Sequence, residues 1–456
     1  MTKKLIYEII VFFVVLALCY FFSGIYSQMM ILGGFLGIFI TFLLFINPKL
    51  WIYTVTAVSS VFLADSGVGL SITDIMIAAI FNLGVIYWIF SKVFLEKQKI
   101  VNNLGDWFIL FIYIAMLSNF FISMLNGVEI TEWIGNYGLY SMTLLYFPIK
   151  YHFPEIEDYK KLLIILTITS FIQSGNHFYK YLFVNNLEEA ESFRISSGAG
   201  VNQSLFSVCI LAGIVFGLSE KNRLKAFYIY IFIFINTLSL LTLMSRTFWI
   251  MVLALIPVII FTLKRKEIFK FFIISSLTIS VILTIAFVYF EDNIAQVQAI
   301  YSYRFFSSTQ GKKDISVETR FFEYDAAWNK VLKYPWSGNG MRAKVYTWNP
   351  IEINYVYNKY VHNGFVLFLV KLGFPLAFTF FGILLYFLIK SIILIFKTNN
   401  SKLRPFALLG FICLIVTFIS NMTSSQFDAR EGIIVLVFGL ATISIVEGQL
   451  KQVKSL

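Results

Sequence analysis

The sequence predicts an all-α polytopic membrane protein, and its composition, its long apolar runs and its basic turns each support that prediction. The chain of 456 residues is 59% hydrophobic and only 13% charged, with a mean hydropathy of +0.79. Soluble domains are about 45–50% apolar and about 25% charged, so a soluble fold is excluded. Apolar runs of about 18 residues or more recur, each long enough to cross roughly 30 Å of hydrocarbon as a helix. They lack the short alternation of barrel strands.

Fourteen apolar runs are predicted to span the membrane, and we expect about 12–14 transmembrane helices. They belong to a single integral membrane domain over residues 1–456. The runs are 5–22, 29–46, 50–64, 72–92, 107–125, 133–149, 162–182, 202–219, 226–243, 246–263, 270–290, 363–390, 405–423 and 431–447. The first run lacks a small-residue cleavage site, so we expect a retained helix and not a signal peptide. Residues 291–360 are too polar for a bilayer and form one large loop.

The basic residues lie in alternate turns, and this alternation predicts the orientation. Lys and Arg cluster at 92–99, 150–161, 221–225, 264–270 and 390–404. The positive-inside rule assigns those turns and both termini to the cytoplasm. The same count places the 291–360 loop, Arg194 and Arg246 on the periplasmic or extracellular side. The net charge of +11 therefore reflects topology, and no nucleic-acid partner is predicted.

Arg246 lies at the outer tip between two predicted spans. A charge at mid-bilayer costs at least about 2.5–3.5 kcal/mol, so such residues face a cavity or a partner. One interpretation is an ordinary boundary arginine that reaches the headgroups or pairs with Asp428 or Glu431. The other is an arginine that faces a polar cavity and binds an anion, because the guanidinium fork matches phosphate oxygens.

Arg194 lies in a predicted outer segment that contains Gly198 and Gly200, which allow the backbone to approach a ligand closely. The acidic residues before it either neutralise it or form a metal site; they are Glu188, Glu189 and Glu191. Their spacing matches no metal-site signature, so no metal is predicted.

Residues 318–332 are predicted to form an amphipathic helix in the outer loop. Phe321, Tyr324, Trp328 and Val331 recur at intervals of three and four and indicate its apolar face. We expect this helix to lie at the outer leaflet and to hold Arg320 above the bundle.

His362 is the only histidine predicted to lie on the outer side, and Asn363 and an apolar run follow it. The positive end of a helix dipole disfavours imidazolium, which favours a neutral ring that accepts a proton near neutral pH. The alternative is a boundary histidine bonded to backbone or water.

Taken together, these motifs resemble those of the bacterial O-antigen ligase and polymerase family. The resemblance rests on Arg320, Trp328, the turn Tyr334-Pro335-Trp336-Ser337-Gly338-Asn339-Gly340, the segment His362-Asn363-Gly364 and the pair Leu372-Gly373. Ser245-Arg246 at a helix tip and Arg194 before a span agree with it. It covers residues 190–375.

The resemblance implies a GT-C-like glycosyltransferase bundle in the bacterial inner membrane, with its site facing outward. It implies that Arg194, Arg246 and Arg320 bind a diphosphate, that His362 and Arg320 are catalytic, and that Asn363, Gly338 and Gly340 support the site. It implies no cofactor. The implied partners are an undecaprenyl-diphosphate-linked oligosaccharide, an acceptor glycan, membrane lipid and a chain-length regulator protein.

The predicted activity is that of a metal-independent, inverting polymerase, which joins lipid-linked repeat units into O-antigen or a related surface polysaccharide. The alternative within the family is a ligase that delivers the glycan to a lipid A core. A flippase or transporter for lipid-linked sugars is the second alternative. A flippase also needs many spans and intramembrane arginines, but it does not need a structured outer loop of 70 residues.

Overall fold

The computed structural model describes residues 47–61, 81–82, 84–179, 203–243, 245–263, 265–289, 302, 315–350, 353–398 and 402–455. Across these residues the protein is a helical bundle with one small β-hairpin, which confirms the predicted all-α membrane fold. The helices are α1 (Pro48–Val61), α2 (Gly84–Leu95), α3 (Leu104–Leu125), α4 (Ile130–Ser141), α5 (Tyr146–His152), α6 (Ile156–Tyr179), α7 (Gln203–Ser219), α8 (Arg223–Thr242), α9 (Arg246–Thr262), α10 (Arg265–Tyr289), α11 (Ile315–Lys333), α12 (Gly364–Lys397), α13 (Arg404–Ser420) and α14 (Arg430–Ser455). The hairpin consists of β1 (Val345–Asn349) and β2 (Asn354–Asn358).

Four of the described helices are long and apolar enough to cross a membrane, namely α3, α8, α12 and α14 up to Gln452. Shorter apolar helices, among them α7, α9 and α13, pack between them. The predicted spans 5–22 and 29–46, and residues 72–80 and 83 of the predicted span 72–92, lie outside the described residues. The total of 14 spans therefore stays a prediction.

One predicted span, 133–149, is interrupted in the structure. Helix α4 ends at Ser141, a 3-10 turn covers Met142–Leu145, and α5 then begins at Tyr146. Pro148 lacks an N–H and its ring opposes the carbonyl of Leu144, so a regular α-helical ladder cannot continue through this stretch.

The helices alternate in direction, and the starts of α7 and α12 meet the end of α13 at one end of the bundle. Ser204 at the start of α7 donates to Gln426, which follows the end of α13 (2.8 Å). The backbone N–H of Gly364 at the start of α12 donates to Asn421 O (2.8 Å). At the opposite end of the bundle, Arg404, the first residue of α13, bonds to the carbonyl of Thr262, the last residue of α9. The start of α9 and the end of α13 therefore lie at the same end of the bundle, which we term the upper end.

The lower end carries the basic residues of the turns, paired with carboxylates. Lys150 contacts Asp106 at 2.6 Å, and Lys390 contacts Glu447 at 2.6 Å. Lys270 donates to the carbonyl of Gly217 (3.0 Å) at the end of α7. Basic residues of several predicted turns thus share one end of the molecule, as the positive-inside pattern requires.

Helix α12 is broken at Gly373, where φ is 71° and ψ is 177°. Pro375 has no N–H for the carbonyl of Lys371, and Phe374 N donates outside the helix, to Pro335 O (2.7 Å). The carbonyls released by the break accept from the turn after α11: Asn339 N bonds to Val370 O (2.7 Å), and Gly340 N bonds to Lys371 O (3.1 Å). The break and the turn therefore satisfy each other's backbone groups.

Candidate active site

The centre of the upper end is a pairing of His362 with Glu323. The Nδ1 atom of His362 lies 2.7 Å from Glu323 Oε2, and the His362 backbone N–H donates to the same oxygen (3.0 Å). The Glu323 side chain is 3% exposed, whereas that of His362 is 36% exposed. A carboxylate accepts the proton of Nδ1, so the hydrogen bond assigns the lone pair of the neutral ring to Nε2.

Helix α11 supplies Glu323. The structure buries Glu323, Ala327 and Val331, spaced four residues apart. Of the predicted apolar face, Val331 is buried, whereas Phe321 and Trp328 are exposed. The Glu323 carboxylate can be buried because three hydrogen-bond donors surround it. The predicted helix itself is confirmed, with bounds Ile315–Lys333.

The His362 ring is held from two further directions. The Tyr324 hydroxyl donates to the His362 carbonyl (2.9 Å), and the Tyr360 ring meets the imidazole edge-on with centroids 5.0 Å apart. Burial raises the pKa of Tyr360 to about 12, so its hydroxyl stays protonated at neutral pH and accepts from Ser425 N (3.0 Å). The imidazole therefore has a fixed orientation before any substrate arrives.

Asn363 caps α12, since its side-chain oxygen accepts from Phe365 N (3.0 Å) and Val366 N (3.1 Å). Gly364 comes next because a Cβ there would lie 2.0 Å from the Asn421 amide oxygen. The supporting role expected for Asn363 is thus a structural one in this fold, at the residue next to His362.

Gly338 and Gly340 also act structurally. Both have positive φ, 70° and 92°, and a Cβ on Gly338 would lie 2.3 Å from the carbonyl of Lys371. At Gly340 it would lie 2.6 Å from Ser123 Cα. These contacts let the turn reach the break in α12 and fix the end of α11, the helix that carries Arg320 and Glu323.

Arg320 lies one turn before Glu323 and Tyr324 on α11 and is partly buried. Its Nε atom is buried and has no hydrogen-bond partner within the described part of the chain. Its positive charge acts on the hydroxyls of both Tyr324 and Tyr360, the two tyrosines that contact His362. Arg320 therefore lies near the imidazole with donor capacity to spare.

Beneath this cluster the structure buries an ion pair that was not predicted from the sequence. Lys371 Nζ contacts both carboxylate oxygens of Asp428 and the side-chain oxygen of Asn136 (3.0 Å), and the Tyr140 hydroxyl also bonds to Asp428. Burial alone would raise the pKa of Asp428, but Lys371 and Tyr140 outweigh it and hold that pKa below its usual value. The Asp428 carboxylate, one of the two partners expected for a boundary Arg246, thus pairs with Lys371.

Of the two remaining predicted diphosphate ligands, the structure describes Arg246 but not Arg194. Arg246 is the first residue of α9, half-buried at the upper end, on the same side of the bundle as His362. Arg194 and the acidic residues before it lie outside the described residues. The structure thus brings Arg320, His362, Asn363 and the two glycines into one connected cluster and places Arg246 at the same end.

Known protein families provide an independent comparison. Residues 229–381 match the family model described as O-antigen ligase, which covers less than half of the 456 residues. The match includes Arg246, Arg320, Glu323, His362 and Lys371. No curated protein matches the chain. Residues 229–381, which hold most of the cluster around His362, are thus similar to the O-antigen ligase family that the motifs of the chain resemble.

Proposed function

We propose that this membrane protein is a glycosyltransferase that uses a lipid-diphosphate-linked oligosaccharide as donor, with His362 as its general base. The observation that carries the proposal is the buried Glu323 carboxylate on His362 Nδ1, with the ring partly exposed. A base oriented by a buried carboxylate and open on its other nitrogen is the arrangement that proton abstraction from a hydroxyl needs.

The reaction is consistent with that geometry. The acceptor sugar hydroxyl gives its proton to His362 Nε2 while its oxygen forms a bond to the anomeric carbon of the donor. The bond from that carbon to the diphosphate oxygen breaks, and its electron pair leaves with the lipid diphosphate. One direct displacement inverts the anomeric configuration. Glu323 stabilises the imidazolium that forms.

The departing diphosphate carries the negative charge that develops in the transition state. We propose that Arg320 stabilises this charge. Its buried Nε has no partner among the described residues, and the planar guanidinium group matches phosphate oxygens. Arg246 at the same end and Arg194 are proposed as further diphosphate ligands. We propose that the guanidinium groups take the place of a metal ion, and we therefore expect full activity in EDTA.

Arg320→Gln tests the diphosphate role. Hydrogen bonds to charged groups contribute about 1.5–3 kcal/mol, so we expect kcat/KM for the lipid donor to fall about tenfold to a hundredfold. Lys333→Gln is the matched control, since it removes one exposed positive charge from the same helix. Equal losses in both variants would contradict a specific role for Arg320.

Between the two activities of the family, polymerase remains our proposal, and the ligase is the second candidate because the matching family is described as O-antigen ligase. The purified protein with lipid-linked repeat units as its only substrate separates them. Longer lipid-linked glycans, formed without any lipid A core, are expected of the polymerase. Transfer that occurs only after a core acceptor is added would show the ligase instead.

A further inference from the structure

The hairpin between α11 and α12 presents an aromatic face that the proposed reaction does not use. In its register Tyr346 lies opposite Tyr357, and Trp348 lies opposite Tyr355. Side chains alternate along a strand, so these four share one face, which we term the aromatic face. The rings contact one another: Tyr346 and Tyr357 have centroids 4.7 Å apart, and Trp348 and Tyr355 have centroids 5.1 Å apart.

The opposite face of the hairpin fixes it to the candidate active site. Val345 and Thr347 are buried where β1 packs against α11. Asn358, the last residue of β2, donates to Glu323 Oε1 (3.3 Å). The aromatic face is left pointing away from the bundle, with Tyr355 59% and Tyr357 71% exposed.

Chain continuity joins this face to His362. Strand β2 ends at Asn358, and the segment Lys359-Tyr360-Val361 leads from it to the histidine. Tyr360 and Asn358 in turn contact His362 and Glu323. The face is therefore close to the imidazole along the chain, since Tyr357 lies five residues before His362.

We propose that the aromatic face binds the sugar rings of the glycan chain that enters or leaves the active site, an inference that rests on the proposed glycosyltransferase function. The C–H groups of a sugar ring carry a slight positive charge and pack against the negative faces of aromatic rings. Tyrosine hydroxyls at the edges bond to sugar hydroxyls. All four ladder side chains of the face are aromatic, and the exposed Ile353 lies outside the ladder, in the turn that precedes β2.

The test measures binding separately from transfer. The full chain in nanodiscs of phosphatidylethanolamine and phosphatidylglycerol is titrated with oligosaccharides released by mild acid from the lipid-linked glycans of the host cells. The readout is the fluorescence of Trp348, taken as the difference from Trp348→Phe. We expect saturable binding that Tyr355→Ala with Tyr357→Ala weakens at least about tenfold.

Two variants serve as controls. Tyr228→Ala removes a tyrosine of similar exposure (61%) from α8, near the lower end, and should leave binding unchanged. Tyr357→Phe keeps the ring and should retain most of the affinity. Should the double variant fail to fold, Tyr357→Ala alone is expected to weaken binding about threefold to tenfold.

The outcomes separate this inference from the proposed function. Unchanged affinity in the Ala variants, or quenching of Trp348 by brominated acyl chains in the nanodisc, overturns the inference, the latter by placing the face in the membrane. His362→Gln should bind the oligosaccharides normally and transfer at least about a hundredfold more slowly than the wild type. If His362→Gln transfers at the wild-type rate, the proposed function fails, whatever the aromatic face binds.

Discussion

Replacing Glu323 by Gln changes one property of the candidate site, the negative charge behind His362. The amide oxygen of Gln can occupy the position of Oε2, which accepts from His362 Nδ1 at 2.7 Å and from its backbone N at 3.0 Å. The orientation of the ring is therefore kept. The imidazolium formed during proton abstraction, however, now meets a neutral partner.

The expected magnitude is the difference between the two hydrogen bonds. A hydrogen bond to a charged group contributes about 1.5–3 kcal/mol and a neutral one about 0.5–1.5 kcal/mol. The loss of about 1–1.5 kcal/mol in the transition state lowers kcat roughly five- to tenfold. KM for the donor should change little, because Glu323 is 2% exposed and lies behind the ring.

The assay is release of lipid diphosphate by the purified protein, with kcat and KM determined separately. Asp325→Asn is the control, because it neutralises an exposed carboxylate two residues away on the same helix. A Glu323→Gln protein with the wild-type kcat would refute the proposed role of the carboxylate. So would a tenfold fall in the Asp325→Asn control.

Three further substitutions test the architecture that supports the site. Gly338→Ala places a Cβ 2.3 Å from Lys371 O at a residue whose φ is 70°, so it should lower the melting temperature strongly. Gly382→Ala is the control within α12: open space surrounds its Cβ, and it should raise the free energy of unfolding by up to about 1 kcal/mol. Lys371→Met leaves Asp428 buried without its cation and should cost about 3–5 kcal/mol in chemical unfolding, with partial recovery on adding Asp428→Asn. Because the folded pKa of Asp428 is lowered, its pairing stabilises the protein above the unfolded pKa, and this contribution should vanish as the pH falls through the folded pKa. Asn363→Ala removes the cap of α12 and should cost about 0.5–2 kcal/mol of unfolding free energy, while Asn363→Ser should restore most of it.

Local patterns in the sequence were sufficient to predict most of the described helices and to select two residues of the candidate site. Apolar runs predicted the helices, because the composition of each segment alone indicates that it is buried or crosses the membrane. The amphipathic pattern predicted α11, and the polar pair before an apolar run predicted the start of α12 at Asn363. Arg320 and His362 became candidates because charged or titratable residues are scarce in such a chain.

The pairings that the sequence missed depend on contacts between distant residues. Glu323 lies 39 positions before His362, and Lys371 lies 57 before Asp428, so neither pairing has a local signal. The helix-dipole prediction considered His362 with α12 alone and did not include the Glu323 carboxylate, which lies 2.7 Å from Nδ1. A buried Lys within an apolar run was a usable signal, because such a charge needs a partner.

The hairpin was missed for a different reason. The sequence analysis predicted a helix in the outer loop and no strand, yet the β-branched and aromatic residues of Val345–Asn349 and Asn354–Asn358 favour strands. Pro350 between the two segments is a turn signal that was present in the sequence.

The most direct measurement is transfer by purified His362→Gln protein, monitored as lipid diphosphate released from lipid-linked repeat units. Positioned general bases contribute typically 10²–10⁴-fold, so the variant should be at least about a hundredfold slower than the wild type at equal folded concentration. His362→Gln protein that releases lipid diphosphate at the wild-type rate would contradict the assignment of His362 as the general base.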